Sequence, residues 1–143
     1  MPSYGASDPN LANAGALVQV HFAASPPYQE ILQAARRPIP PPVPAIALID
    51  TGACFTAIRQ GLLTSLGLQP VGITHIHSAS HSNVPCPQYY VQVLMPPTVV
   101  NMWWIGTVVE MPLTGIDCLI GRDLLAHGVL IYSGVTASWT LSL

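Results

Sequence analysis

A carboxylate at the end of an uninterrupted apolar run constrains this chain more than any other feature. Residues 45–49 read Ala-Ile-Ala-Leu-Ile, and Asp50-Thr51-Gly52-Ala53 follow at once. An apolar run of this length, stopped by turn-forming Asp and Gly, predicts a buried strand. Its carboxylate is then drawn out of water, where an unpaired charge is costly and the group keeps its proton. The sequence holds no Lys, and its four basic residues, all Arg, stand apart from Asp50 along the chain. A second buried carboxylate is another solution: two acids within hydrogen-bond reach share one proton, one acting as acid and the other as base. Such a pair can activate water and protonate a leaving amine. Asp-Thr-Gly is equally good turn chemistry, which is the plain alternative for Asp50.

The rest of the chain is patterned mainly for strands. Residues 1–15 are small and polar with Pro and Gly, and predict a flexible leader to a single domain over 16–143. Alternation predicts a strand over 17–23. Ser25-Pro26-Pro27 then opens a short amphipathic helix with Tyr28, Ile31, Leu32 and Ala35 on one face. The Pro-rich stretch 38–44 is a stiff extended connector. Further strands are expected over 55–58, 73–78, 89–95, 103–111, 118–120, 129–132 and 135–141, with a short helix over 60–66. Asp123 is expected to cap a helical turn over 124–127.

Two of these segments carry a family resemblance. Ala47-Leu48-Ile49-Asp50-Thr51-Gly52-Ala53 resembles the active-site signature of retropepsins, the single-lobed branch of the aspartic proteases. Cys118-Leu119-Ile120-Gly121-Arg122-Asp123-Leu124-Leu125 resembles that family's second element, in the right order and with a hairpin pattern between the two. The tail, from Val129-Leu130-Ile131-Tyr132 to Trp139-Thr140-Leu141-Ser142-Leu143, is similar to cellular retropepsin-like proteins of bacteria.

The resemblance, over about 17–143, implies an all-β fold, a single-lobed closed barrel with one or two short helices, acting as a homodimer. It implies a peptidase in which Asp50 is catalytic and Thr51, Gly52 and Ala53 support the dyad. Gly121, Arg122 and Asp123 would be structural residues near the site. The hairpin over 74–90 would be a flap with a solvent-facing tip over 78–87, and Ser78, Ala79, Ser80 and His81 would be its substrate-binding residues. Peptide or protein is the implied substrate, with no cofactor. Two departures stand out: Cys54 occupies a position where many retroviral members carry an acidic partner for the arginine, and the flap segment has no Gly. Both would suit the rival reading, a catalytically silent retropepsin-like module that binds peptide or protein.

Other residues have blander readings. His75, His77 and His81 form a His-x-His-x3-His pattern that could place two zinc ligands on one face, but no acidic residue or Cys lies close to them in sequence, and no metal site is expected. Cys54 is taken as a small apolar residue and Asp117 as a turn acid. Trp103 and Trp104 point to opposite faces if they lie in a strand.

Composition excludes several classes. Half the residues are hydrophobic and 7% are charged, so the chain is not disordered and exposes apolar surface that calls for a covering partner. Four basic residues cannot form a phosphate-binding stripe, which excludes nucleic acid. Residues 60–109 contain no Asp, Glu, Lys or Arg, but Pro, Gln, Asn and His break them up, so no membrane span is expected. Three Cys without metal-ligand spacing suit free thiols in the cytoplasm.

Overall fold

The apolar run before Asp50 does form a strand, and its neighbours explain how the two signature segments meet. In chain order the elements are β1 (Ser3–Ser7), α1 (Leu11–Ala14), β2 (Leu17–Ala24), α2 (Pro26–Ala34), β3 (Val43–Ile49), β4 (Ala57–Arg59) and α3 (Gln60–Ser65). They continue with β5 (Gly72–Ile76), β6 (Val84–Met95), β7 (Thr98–Thr107), β8 (Cys118–Ile120), α4 (Arg122–Leu125), β9 (Val129–Ser133) and β10 (Ser138–Ser142). The computed structural model describes residues 2–77, 82–95, 98–107 and 115–143, with backbone alone at 98 and 101–107.

The strands form a seven-stranded sheet in the order β2-β3-β8-β4-β7-β6-β5 and a three-stranded sheet in the order β1-β10-β9. β2 pairs with β3 along 17–22 and, over its second half, with β6. The mostly-β architecture is the expected one. The β2–β6 pairing brings the two ends of the run β2-β3-β8-β4-β7-β6 together, the β1-β10-β9 sheet stands apart from it, and the described residues hold four short helices where one or two were expected.

Alternation sets which side chains are inside. On β6, Tyr89, Val91, Val93 and Met95 are buried, and on β10 Trp139 and Leu141 are, as a period of two requires when one face is packed. With Phe22, Val20, Ile58, Leu63 and Leu124 they form one core. Each large side chain so buried contributes about 1.5–3 kcal/mol. The helix after Ser25 also appears, with Pro at its start and Leu32 as its buried residue, but Ile31 is exposed and Ser25 makes no capping bond.

Residues 1–15 correct an expectation. They are no loose leader: β1 pairs antiparallel with β10, and Leu11 is buried in the core. Edge pairing uses backbone groups and needs no apolar pattern, so small polar residues can supply it. Gly5 fits because a Cβ there would stand 2.7 Å from the Trp139 carbonyl oxygen.

The ladders around β8 position the site. β3 runs parallel to β8, pairing Ala47 with Cys118, Leu48 with Leu119 and Ile49 with Ile120. β4 lies antiparallel on the other edge of β8. The two signature segments, far apart in sequence, are therefore neighbouring strands. Pro44 is tolerated in β3 because β8 bonds only the far end of that strand.

Candidate active site

Asp50 emerges one residue past β3. Ala45, Ala47 and Ile49 face the core, so Asp50 falls on the alternate parity with Ile46 and Leu48 and is half-buried. The expectation of an acid drawn fully inside is corrected accordingly: its strand ends at the core boundary and leaves the carboxylate at the surface of a cleft.

Backbone bonds hold the loop that follows. Asp50 N–H donates to the Ile120 carbonyl at 3.0 Å, and Ala53 N–H returns to the Asp50 carbonyl at 3.2 Å. The Gly52 N–H donates to Asp50 Oδ1 at 2.8 Å, which orients the carboxylate. Thr51 and Gly52 are exposed, and Ala53 is half-buried.

Gly121, Arg122 and Asp123 converge on this loop from behind. A Cβ on Gly121 would stand 2.5 Å from the Phe55 carbonyl carbon and 2.9 Å from the Thr56 nitrogen, so only glycine lets β8 turn this close to the loop. Arg122 N–H donates to the Ala53 carbonyl at 2.9 Å. Its guanidinium donates to the Thr51 carbonyl at 2.7 Å and to Cys54 Sγ at 2.9 Å. Arg122 thus has partners without the acidic residue that many retroviral sequences place at position 54.

Asp123 is not the helix cap expected of it. α4 begins at Arg122, with Gly121 at the capping position. The Asp123 carboxylate accepts the Thr56 hydroxyl at 2.6 Å and the Thr56 N–H at 2.9 Å, besides the Leu124 N–H of its own turn at 2.9 Å. Thr56 is fully buried, and its Oγ1 also accepts the Gly121 N–H at 3.1 Å. Nothing in the sequence pattern singled out Thr56, because its partners lie more than sixty residues away. Asp117, read as a turn acid, similarly accepts the Ile46 N–H at 3.0 Å and stands 3.6 Å from the Arg59 guanidinium.

A cavity of about 430 Å3 opens at the loop, lined by Asp50, Gly52, Cys54 and Phe55 and by Leu119 of β8. The β5–β6 hairpin contributes His75, Ile76 and His77. A hairpin therefore stands at the cleft as expected, while Ser78, Ala79, Ser80 and His81 lie outside the described residues. The lining roles of Phe55, His75 and His77 were not read from the sequence.

All three cysteines are unpaired, with Cys54 exposed and Cys86 and Cys118 buried. Burial pushes the Cys86 thiol up, and burial together with the Asp117 and Asp123 carboxylates pushes the Cys118 thiol well up. Among the described residues no group of three or more His, Cys, Asp or Glu side chains is placed to hold a metal ion, and no helix is long and apolar enough to cross a membrane.

No protein-family model matches the chain. No curated protein matches it either. Among solved structures, the chain is similar to a retropepsin-like aspartic protease from Rickettsia conorii, at 11% identity and a TM-score of 0.59, covering 98% of this chain and 89% of that one. At that identity the likeness is one of fold, and the fold of this chain is retropepsin-like.

Proposed function

We propose that the chain is an aspartic endopeptidase, hydrolysing peptide bonds with a water activated by two Asp50 carboxylates, one from each chain of a homodimer. The observation that carries this reading is the position of Asp50. It sits in a cleft, oriented by the Gly52 N–H, on a loop tied down by Arg122. A retropepsin-like fold with Asp-Thr-Gly at this point supports the same reading.

A single shared proton sets the chemistry. The ionised carboxylate takes a proton from water as the water oxygen adds to the peptide carbonyl carbon, and the protonated partner gives its proton to the carbonyl oxygen. Collapse of the tetrahedral adduct breaks the C–N bond and delivers a proton to the leaving nitrogen. No covalent intermediate or cofactor enters. Thr51 supports the dyad across the two-fold axis, Gly52 lets substrate backbone approach, and the β5–β6 hairpin closes over an extended peptide.

The dimer follows from counting carboxylates. Asp50 is the one acid among the described residues lining the cavity, so its partner must come from a second copy, in an isologous arrangement. Among the described residues β9 has no partner on its outer edge, and its Val129, Ile131 and Tyr132 are exposed. The free thiols suit a reducing, cytoplasmic setting.

Cleavage of a peptide library at about pH 4 to 6, compared between the native chain and Asp50→Asn, tests the proposal. Loss of turnover by about a hundredfold or more is expected; equal turnover rejects it. The rival, a silent peptide-binding module, has one observation in its favour: Arg122 grips a thiol and a carbonyl where a carboxylate would be expected. Peptide binding by the native chain without turnover would establish it.

A further inference from the structure

The hairpin that reaches the cavity brings no fixed charge with it. Residues 60–109 contain no Asp, Glu, Lys or Arg, and the imidazoles there are His75, His77 and His81. His75 and His77 line the cavity that holds Asp50, and both are exposed. The Asn83 N–H donates to His77 Nδ1 at 3.1 Å, which leaves the neutral ring its Nε2–H to donate.

Among the described residues, these two imidazoles are the polar side chains that the hairpin brings to the cavity lining. β5 packs on β6, where Pro85 stands opposite His75 and Val84 opposite Ile76. The titratable side chains of β6 are Cys86, Tyr89 and Tyr90. From the loop, Asp50 and Cys54 share the cavity, and the remaining lining is apolar, with Phe55, Ile76 and Leu119 prominent. A substrate carboxylate entering the cleft would meet one anion, the dyad, and two imidazoles with N–H groups to donate to it. A substrate ammonium would find no comparable partner on the hairpin.

We infer that His75 and His77 form a specificity subsite for an acidic side chain, so that favoured substrates carry Glu or Asp next to an apolar scissile pair. This rests on the peptidase reading for its reaction, but not for its recognition chemistry.

The test is a peptide panel with a constant apolar scissile pair and either Glu or Gln at each flanking position in turn. With the native chain, kcat/KM at about pH 5 should favour Glu over Gln about fivefold at one position, the order expected when a hydrogen bond goes to a charged rather than a neutral acceptor. In the double variant His75→Gln/His77→Gln the ratio should fall to about one. Taking the ratio within each enzyme cancels any general loss of activity. The same peptides are titrated by fluorescence anisotropy against Asp50→Asn, giving the Glu/Gln ratio in Kd without turnover. A ratio of one or less at every position, or a preference that survives in the double variant, overturns the subsite. No turnover with a Glu preference in Kd removes the peptidase reading and keeps the subsite. No binding of any peptide overturns both.

Discussion

The Arg122 guanidinium lies 2.9 Å from Cys54 Sγ and fastens the loop that carries Asp50. The same group holds the Thr51 carbonyl at 2.7 Å, so one planar fork bridges both sides of Gly52. Lysine cannot reproduce two divergent contacts. Arg122→Lys should therefore cost only about 0.5–1.5 kcal/mol of stability, while peptide turnover falls disproportionately. Cys54→Asp should do the opposite to stability, exchanging a weak sulfur acceptor for a carboxylate. Its expected gain is up to about 1 kcal/mol, because the pair is exposed. Denaturant midpoints measured at constant m-value check both.

Thr56 and Gly121 allow a sharper stability test. Gly121→Ala forces a Cβ against the Phe55 and Thr56 backbone, and overpacking of this kind costs about 1–3 kcal/mol. Thr56→Val keeps the shape but leaves the Asp123 carboxylate without the hydroxyl it accepts at 2.6 Å. That loss should also cost about 1–3 kcal/mol. Urea unfolding of the two variants is the measurement, and a Gly121→Ala protein as stable as the native chain would contradict the close approach.

These contacts also mark what could and could not be read from the sequence. The strand ending at Asp50 and its pairing partner at 118–120 were legible, because an apolar run and a turn are local signals and the two segments share a resemblance. Leu11, α1 and β1 were not, because edge pairing with β10 joins opposite ends of the chain and leaves no pattern in 1–15. Asp123 carries the local signal of a cap, yet its carboxylate is claimed by Thr56, which only the fold brings near. The half-burial of Asp50 was available all along: inward Ala45, Ala47 and Ile49 put position 50 on the other parity.

Cys118 makes stability fall at high pH. Its thiol is held well above the ordinary 9.0 by complete burial, with Asp117 and Asp123 adding to the effect. The folded chain therefore keeps a proton that the unfolded chain releases, so this contribution is fully present below about pH 9 and is lost as pH rises beyond it. Unfolding free energies should drop between about pH 8 and 10 more steeply in the native chain than in Cys118→Ala. Parallel slopes would refute the assignment. Thiol reagents at neutral pH should label exposed Cys54 ahead of Cys86 and Cys118.

If two Asp50 carboxylates share one proton, kcat/KM should be bell-shaped and favour acid. Activity falls on the acid side when both are protonated and on the basic side when both are ionised, and the two apparent pKa values belong to the pair. A flat profile, or activity abolished by a chelator, would indicate different chemistry.

If the dyad is shared between two chains, activity depends on self-association. β9 carries exposed Val129 and Ile131 and has no partner on its outer edge among the described residues, and Val135 beyond it is 99% exposed. A chain with 7% charged residues has little else with which to keep such a surface solvated. A strand edge with no partner among the described residues is suited to pairing with a second copy. Ile131→Asp places a carboxylate on that edge, and an unpaired charge in an apolar interface costs several kcal/mol. The variant should fold normally, since Ile131 is 61% exposed and outside the core. Sedimentation should show its dimer weakened by at least about tenfold, with turnover per chain falling as the protein is diluted. Full activity from a species that sediments as a monomer would mean that Asp50 works without a second Asp50.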